Sequence, residues 1–314
     1  MGLVEFYRNR MSSNPRDMVF GLMPLSANTT IQARYDHNLA RVYCDLVTSH
    51  IKEHKILSSL LRADEGSSRR RGLPTWVPDW SARVSDVDEE MLRFVRIFNP
   101  LYNACGPRNV VSSFDINTTT LGLKGILVDK ISEVGPGHGP DDCDVTDMQL
   151  ILACKQLCLR KRHQRNRYKK AEHDFEHDFW RLTCLDVCLT PAAGGGDTLR
   201  RTTLADYQDF QSQNAQPAYS FEEPWIWRIH RFFVTKKGFI GWAPRSVEVG
   251  DKVYVFPGGN YPFVLRPSIV PGPDALPAAT RMHTFIGHCY VQGLMDGEAM
   301  MGVKDEDLNL VYII

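Results

Sequence analysis

The last third of the sequence is cut into short strand-like runs by tight turns, and this restricts the fold more than any other feature. The runs are Arg231–Val234, Gly238–Trp242, Lys252–Phe256, Pro262–Arg266 and Thr284–Val291. Turns at Lys236-Lys237-Gly238, Gly250-Asp251 and Gly258-Gly259-Asn260 separate them. Short strands joined in this way predict a small barrel or a strongly curled sheet. An earlier stretch, Thr118–Val134, alternates and is rich in β-branched residues, with a bend at Gly125; it is expected to complete the same sheet.

The first part of the chain has a different period. Met18–Met23 reads as a short helix ending near Pro24. Residues 36–61 place Leu39, Val42, Tyr43, Leu46, Val47 and Ile51 at three- and four-residue spacing, with Asp36 as the expected N-cap and a second short helix over Lys55–Leu61. Leu73-Pro74-Thr75-Trp76-Val77-Pro78-Asp79-Trp80 then forbids a helix through its two prolines and should lie extended with both indoles tucked in. Residues 145–189 return to helical spacing, Ala192–Gly196 breaks it, and 197–220 read as polar and partly mobile. The fold class expected is therefore α+β: an N-terminal helical layer, residues 1–82, and a β-rich unit, residues 83–314. The strands of that unit fall at about 110–134 and 230–292, with a helical insertion at about 145–220.

Charge and apolar content exclude several classes. The 37 basic and 37 acidic residues cancel, which argues against a global electrostatic footprint for nucleic acid or anionic lipid. No apolar run reaches the roughly 18–20 residues of a membrane span. The start of the chain lacks a signal-peptide layout, and Phe6 stands where a myristoylation pattern needs Ser or Thr. A cytoplasmic protein is expected, and in that compartment its eight cysteines are free thiols acting as small core hydrophobes.

The candidate sites have to be weighed against plainer readings. Trp76 and Trp80 are candidate ligand-binding aromatics, although locking the extended segment onto the helical region accounts for them better. Asp296 and Glu298 form a carboxylate pair around Gly297, a sequence that also makes a turn. With Arg266 and His288 they are the polar groups from which a pocket at the end of the sheet would be built. Cys154-x3-Cys158 followed by His173-x3-His177 has finger-like spacing but lacks the apolar pair that packs around zinc, and i, i+4 spacing is what any helix gives. The run Arg160–Lys170 is strongly basic, yet Glu172, Asp174, Glu176 and Asp178 follow it and pair with it. No nucleophile elbow is present, and His288 and Cys289 are neighbours pointing to opposite faces of a strand. No catalytic set, metal site or cofactor is expected.

Three segments in order carry a resemblance. Arg16-Asp17-Met18-Val19-Phe20-Gly21-Leu22, with Tyr35-Asp36 and Val42-Tyr43 downstream, is similar to the stretch that follows the HET domain in fungal heterokaryon-incompatibility (HET) proteins. Leu73–Ser81 resembles that family's LPSWVPDWS signature. Between Phe232 and Glu298, Gly250-Asp251-Lys252-Val253, Pro262–Pro267 and Cys289–Glu298 resemble its C-terminal block, with Gln292 where the family often has His.

The resemblance implies the C-terminal part of such a protein, a role in non-self recognition and programmed cell death, and no membrane span. Nothing before Pro15 resembles the HET domain, so a truncated or effector-less relative is expected, one whose partner is another protein or the absent effector domain. An apolar patch left open on the layer formed by residues 1–62 follows from that reading. An enzyme using the sheet end, or a nucleic-acid-binding accessory protein using residues 160–170, are the alternatives.

Overall fold

The structure is a computed structural model that describes residues 2–10, 12–26, 31–63, 70–82, 89, 96–114, 119–136, 147–160, 172–191, 197–213, 230–268 and 281–314. In chain order its helices are α1 (Gly2–Phe6), α2 (Asp17–Phe20), α3 (Leu39–His54), α4 (Asp147–Arg160), α5 (Glu172–Thr183) and α6 (Leu204–Gln213). The strands begin with β1 (Ser112–Phe114), β2 (Leu121–Val134), β3 (Val187–Pro191), β4 (Asp197–Arg201), β5 (His230–Thr235) and β6 (Ile240–Pro244). They continue with β7 (Lys252–Val255), β8 (Phe263–Pro267), β9 (Met282–His288), β10 (Tyr290–Val291) and β11 (Asn309–Ile313). Packing divides the chain into two compact units: Met1–Val128, Asp251–His288 and Asp296–Ile314 form the first, Asp129–Gly250 and Cys289–Met295 the second.

In the first unit the helical layer follows from apolar spacing. Val42, Tyr43, Leu46, Val47 and Ile51 of α3 are all buried. The expected cap at Asp36 is displaced to Asn38, whose extended backbone lets its side chain accept the Arg41 N–H at 2.8 Å. The helix also stops earlier than its periodicity suggests. Lys55 turns into the left-handed region at φ 57, and its N–H returns to the Ile51 carbonyl. Beyond it the backbone is claimed by a turn of the β-structure: Leu57 N–H reaches the Gly258 carbonyl at 2.8 Å, and Val110 N–H reaches the Lys55 carbonyl at 3.1 Å. The expected helix over 55–61 is thus a 3-10 turn at Ser58–Arg62. Outside this layer the large apolar side chains Phe6, Tyr7, Leu25, Tyr35 and Ile56 are exposed.

The β-structure of the first unit is a closed five-strand mixed barrel. β2 pairs antiparallel with β11, β11 parallel with β9, β9 antiparallel with β8, β8 antiparallel with β7, and β7 returns to β2. Five is odd, so directions cannot alternate all the way around a ring, and the β9–β11 pair takes the mismatch. A parallel pair needs a long crossover, here residues 289–308. Phe256, Phe263 and Phe285 meet in sequence at 6.0 and 5.7 Å between centroids, with their planes tilted by 46° and 47°, and are buried. Closure depends on Gly125 of β2. A Cβ there would stand 2.2 Å from a Phe256 ring carbon and 2.8 Å from the Val255 carbonyl oxygen. The strand pattern expected from the sequence ends at Val291, whereas β11 adds a five-residue strand without a flanking hairpin partner in sequence.

The second unit carries an antiparallel sheet in which the end of β2 pairs with β5, β5 with β6 and β6 with β10. Helices α4, α5 and α6 and the hairpin β3–β4 also belong to it. The hairpin and α6 correct the expectation of a helix to residue 189 and a polar, partly mobile 197–220. Leu185 and Asp186 adopt left-handed backbone, φ 53 and 56, which ends α5. Val187 to Pro191 then pair with Arg201 to Asp197 in register. Among the described residues no helix is long and apolar enough to cross a membrane.

Two outcomes follow. Gly125→Ala should cost about 1–3 kcal/mol by overpacking the point of closure; an unchanged urea midpoint would show that Phe256 moves aside freely. The second concerns acid. His283 of β9 is buried beside Tyr254, and burial, with Lys252 nearby, pushes its pKa down to about 4. A histidine titrating at about 6.5 when unfolded and about 4 when folded stabilises the fold fully above pH 6.5, and that contribution is lost as pH falls toward 4. The melting temperature should drop across that window, and drop less in His283→Gln. Parallel pH curves for the two proteins would rule this group out.

Candidate functional site

The proline–tryptophan segment works as a clasp on the first unit. Thr75 donates its N–H and its hydroxyl to the Ile314 carbonyl, and the same hydroxyl oxygen accepts the Phe285 N–H at 2.8 Å. Trp76 donates its indole N–H to the Thr119 carbonyl at 2.9 Å. Trp80 donates to Glu5 at 2.8 Å and meets the Tyr43 ring edge-on at 4.9 Å. Glu5 also accepts from Arg62 at 3.2 Å. Asp79 holds the end of the segment by accepting the Ser81 N–H and hydroxyl and the Arg70 N–H, at 2.9, 2.6 and 2.8 Å. Both indoles are buried, at 1% and 0% exposure, so neither offers a face to solvent.

The residues singled out at the end of the sheet lie in different surroundings. Arg266 of β8 makes a two-pronged pair with the buried Asp251, at 2.8 and 3.0 Å. His288, at the end of β9, is buried edge-on to Tyr261, 5.0 Å between centroids. Asp296 and Glu298 are exposed, and the Glu298 carboxylate accepts the Asp296 N–H at 2.7 Å, closing their turn. Cys289 is fully buried, and burial pushes its thiol well above the usual range, which leaves it a poor nucleophile. Cys154 and Cys158 are buried on α4. Residues 161–170 of the basic run lie outside the described residues.

The most highly organised polar group is one that sequence reading missed. Asp186, fully buried in the second unit, receives Nε of Arg181 at 2.7 Å and Nε of Arg201 at 2.9 Å. Their Nη2 atoms and the Thr202 hydroxyl also donate to it. The left-handed backbone brings this about: Asp186 N–H returns to the Arg181 carbonyl at 2.6 Å, and its own carbonyl accepts the Thr202 N–H at 3.1 Å. Desolvating a carboxylate costs several kcal/mol, and two forked guanidiniums repay it only because the geometry is good.

A second chain of hydrogen bonds also reaches α5. The buried Tyr290 donates its hydroxyl to Gln292 at 2.7 Å, and the Gln292 amide donates to Asp178 at 3.2 Å. Burial, with Asp186 adding to it, raises the Tyr290 hydroxyl well above its ordinary pKa, so it remains a protonated donor. The donors of Arg181, Arg201 and Thr202 all converge on the Asp186 carboxylate, which ties α5 to the β3–β4 hairpin. In sequence, Arg181, Asp186 and Arg201 are indistinguishable from solvated charges. The departure at Gln292 was the one available signal.

Known proteins resemble this barrel and the chain that carries it. Residues 225–311 match the Het-6 beta-barrel domain family. The chain is 24% identical to heterokaryon incompatibility protein 6, OR allele, of Neurospora crassa, across 95% of its own length and 51% of that protein. It therefore spans about half the length of that relative. No solved structure matches it. Residues 225–311 thus resemble that barrel family, and the chain as a whole is similar to this heterokaryon-incompatibility protein.

Asp186→Ala should be strongly destabilising, by about 3–5 kcal/mol, because it leaves two guanidiniums without their shared carboxylate. Urea denaturation followed by tryptophan fluorescence measures this. A loss below about 1 kcal/mol would place the stabilising load of the second unit elsewhere.

Proposed function

We propose that this chain is a non-enzymatic recognition and regulatory region of an incompatibility-type protein, acting in the cytoplasm in fungal non-self recognition and the cell death that follows. The observation that carries this reading is the extent of the similarity. It runs through 95% of the chain, and so takes in the clasp and the knot as well as the barrel. The reading is also supported by where the polar groups are engaged. Trp76, Trp80, Arg266 and Asp251 are held in contacts of the fold itself, which suits a surface that is recognised more than a cleft that reacts. Its partner is a protein, and a HET effector domain, on the same polypeptide or on another, is the partner this reading calls for.

The test is a fusion assay between two strains that differ only in this gene. With different alleles the fused cells should die, and deleting the gene from one strain should restore their growth. Fusion cells that survive equally in every combination would exclude a recognition role. Expression of the chain by itself should leave growth unchanged; killing by the chain alone would make it an effector and overturn the regulatory part of the reading.

A further inference from the structure

α3 ends on two histidines, His50 and His54, four residues and one turn apart. That spacing puts both on one helix face, and their ring centroids are 4.6 Å apart with the planes tilted by 55°. The two rings differ in freedom. His50 is half-buried, with Nε2 3.2 Å from the Ser58 hydroxyl, which sets the plane of its ring. His54 is 49% exposed, and the Glu53 carboxylate lies 3.9 Å from its Nε2. Neither ring takes part in the clasp or the knot.

Such a pair has chemistry suited to a cation. Neutral imidazole offers a nitrogen lone pair and is the commonest side-chain metal ligand. Imidazole nitrogen suits zinc, copper and nickel. Two nitrogens bound to one such ion at about 2.0–2.1 Å lie roughly 3–3.5 Å from each other, and ring centroids 4.6 Å apart place these two imidazoles side by side.

The scaffold beneath them is fixed. Lys55 N–H is tied to the Ile51 carbonyl at 2.9 Å, the Lys55 carbonyl to Val110 N–H, and Leu57 N–H to the Gly258 carbonyl. Rigid support of this kind is what holds two ligands at a set distance. The negative end of the helix dipole also favours a cation at this turn. Lys52 and Lys55 oppose it, but both are exposed and their charges are screened by solvent and salt.

We propose that His50 and His54 chelate a divalent transition-metal ion of the zinc–copper class at the C-terminal turn of α3. Among the described residues no group of three or more His, Cys, Asp or Glu side chains gathers around an ion. Water therefore completes the coordination, and the site is open and exchangeable, unlike a closed structural zinc centre.

The experiment is titration of the full chain with zinc chloride and, separately, copper sulfate. Calorimetry gives the affinity, and imidazole NMR resonances identify the ligands. Saturable binding is expected, with the His50 and His54 resonances perturbed first and copper held more tightly than zinc. His54→Ala alters an exposed side chain and should weaken binding tenfold or more, and His50→Gln should do the same. His177→Ala should leave it unchanged. Binding that survives both the His54 and the His50 substitutions places the metal elsewhere and overturns the proposal, as does the absence of saturable binding up to about 1 mM metal, the weak end of specific affinity.

Discussion

A ring of five strands cannot alternate in direction, and much of the first unit follows from how this chain meets that constraint. The parallel β9–β11 pair needs a crossover, and the crossover is long enough to do other work. Its first residues, Cys289–Met295, belong to the second unit, where Tyr290 and Gln292 enter the hydrogen-bonded chain that reaches α5. Thr75 ties the proline–tryptophan segment to both members of the parallel pair, through the Phe285 N–H and the carbonyl that follows β11. The signature segment thus braces the pair that the odd strand number makes necessary.

Carboxylates withdrawn from solvent meet arginine in three places among the described residues. Asp251 faces the Arg266 fork, Asp186 faces two forks, and Glu5 sits between Arg62 and the Trp80 indole. Arginine suits these positions because its planar donors match a carboxylate edge and it is weakly hydrated. Such pairs add little net stability compared with an apolar replacement, but breaking one is expensive. Their effect is to make wrong arrangements costly: a hairpin shifted by one residue would turn Arg201 away from Asp186.

The legible parts of this fold were those in which side-chain period and backbone agree. The apolar stripe of α3, the hairpin turns at Lys236–Gly238 and Gly258–Asn260, and the strand ending at Val134 could be read because burial repeats along them at a fixed interval. Gly125 was visible as a bend, but its reason, the ring of Phe256, is contributed from more than a hundred residues away. The knot was invisible for a related cause. Leu185 and Asp186 have left-handed backbone without being glycine, and no local preference announces that; the conformation holds because Arg181 and Thr202 receive the Asp186 backbone from either side. The helical reading of residues 184–189 therefore failed where tertiary hydrogen bonds overrode propensity. The candidate residues were recognised as unusual, while what each touches lay beyond a one-dimensional pattern.

The position of β11 in the ring also sets an order of assembly. It lies between β2 and β9, yet it follows every other barrel strand in the sequence. During synthesis β2 emerges early, and the strand that covers one of its edges is made almost two hundred residues later. The Asp186 ion pairs, by contrast, are contained within Arg181–Thr202 and need no distant partner. Local contacts form fast and distant ones slowly, so the β3–β4 hairpin and its ion pairs can be in place while the barrel is still an open sheet. Until Ile313 has left the ribosome, the nascent chain carries an uncapped β-edge, and that interval is when it most needs protection from other strands.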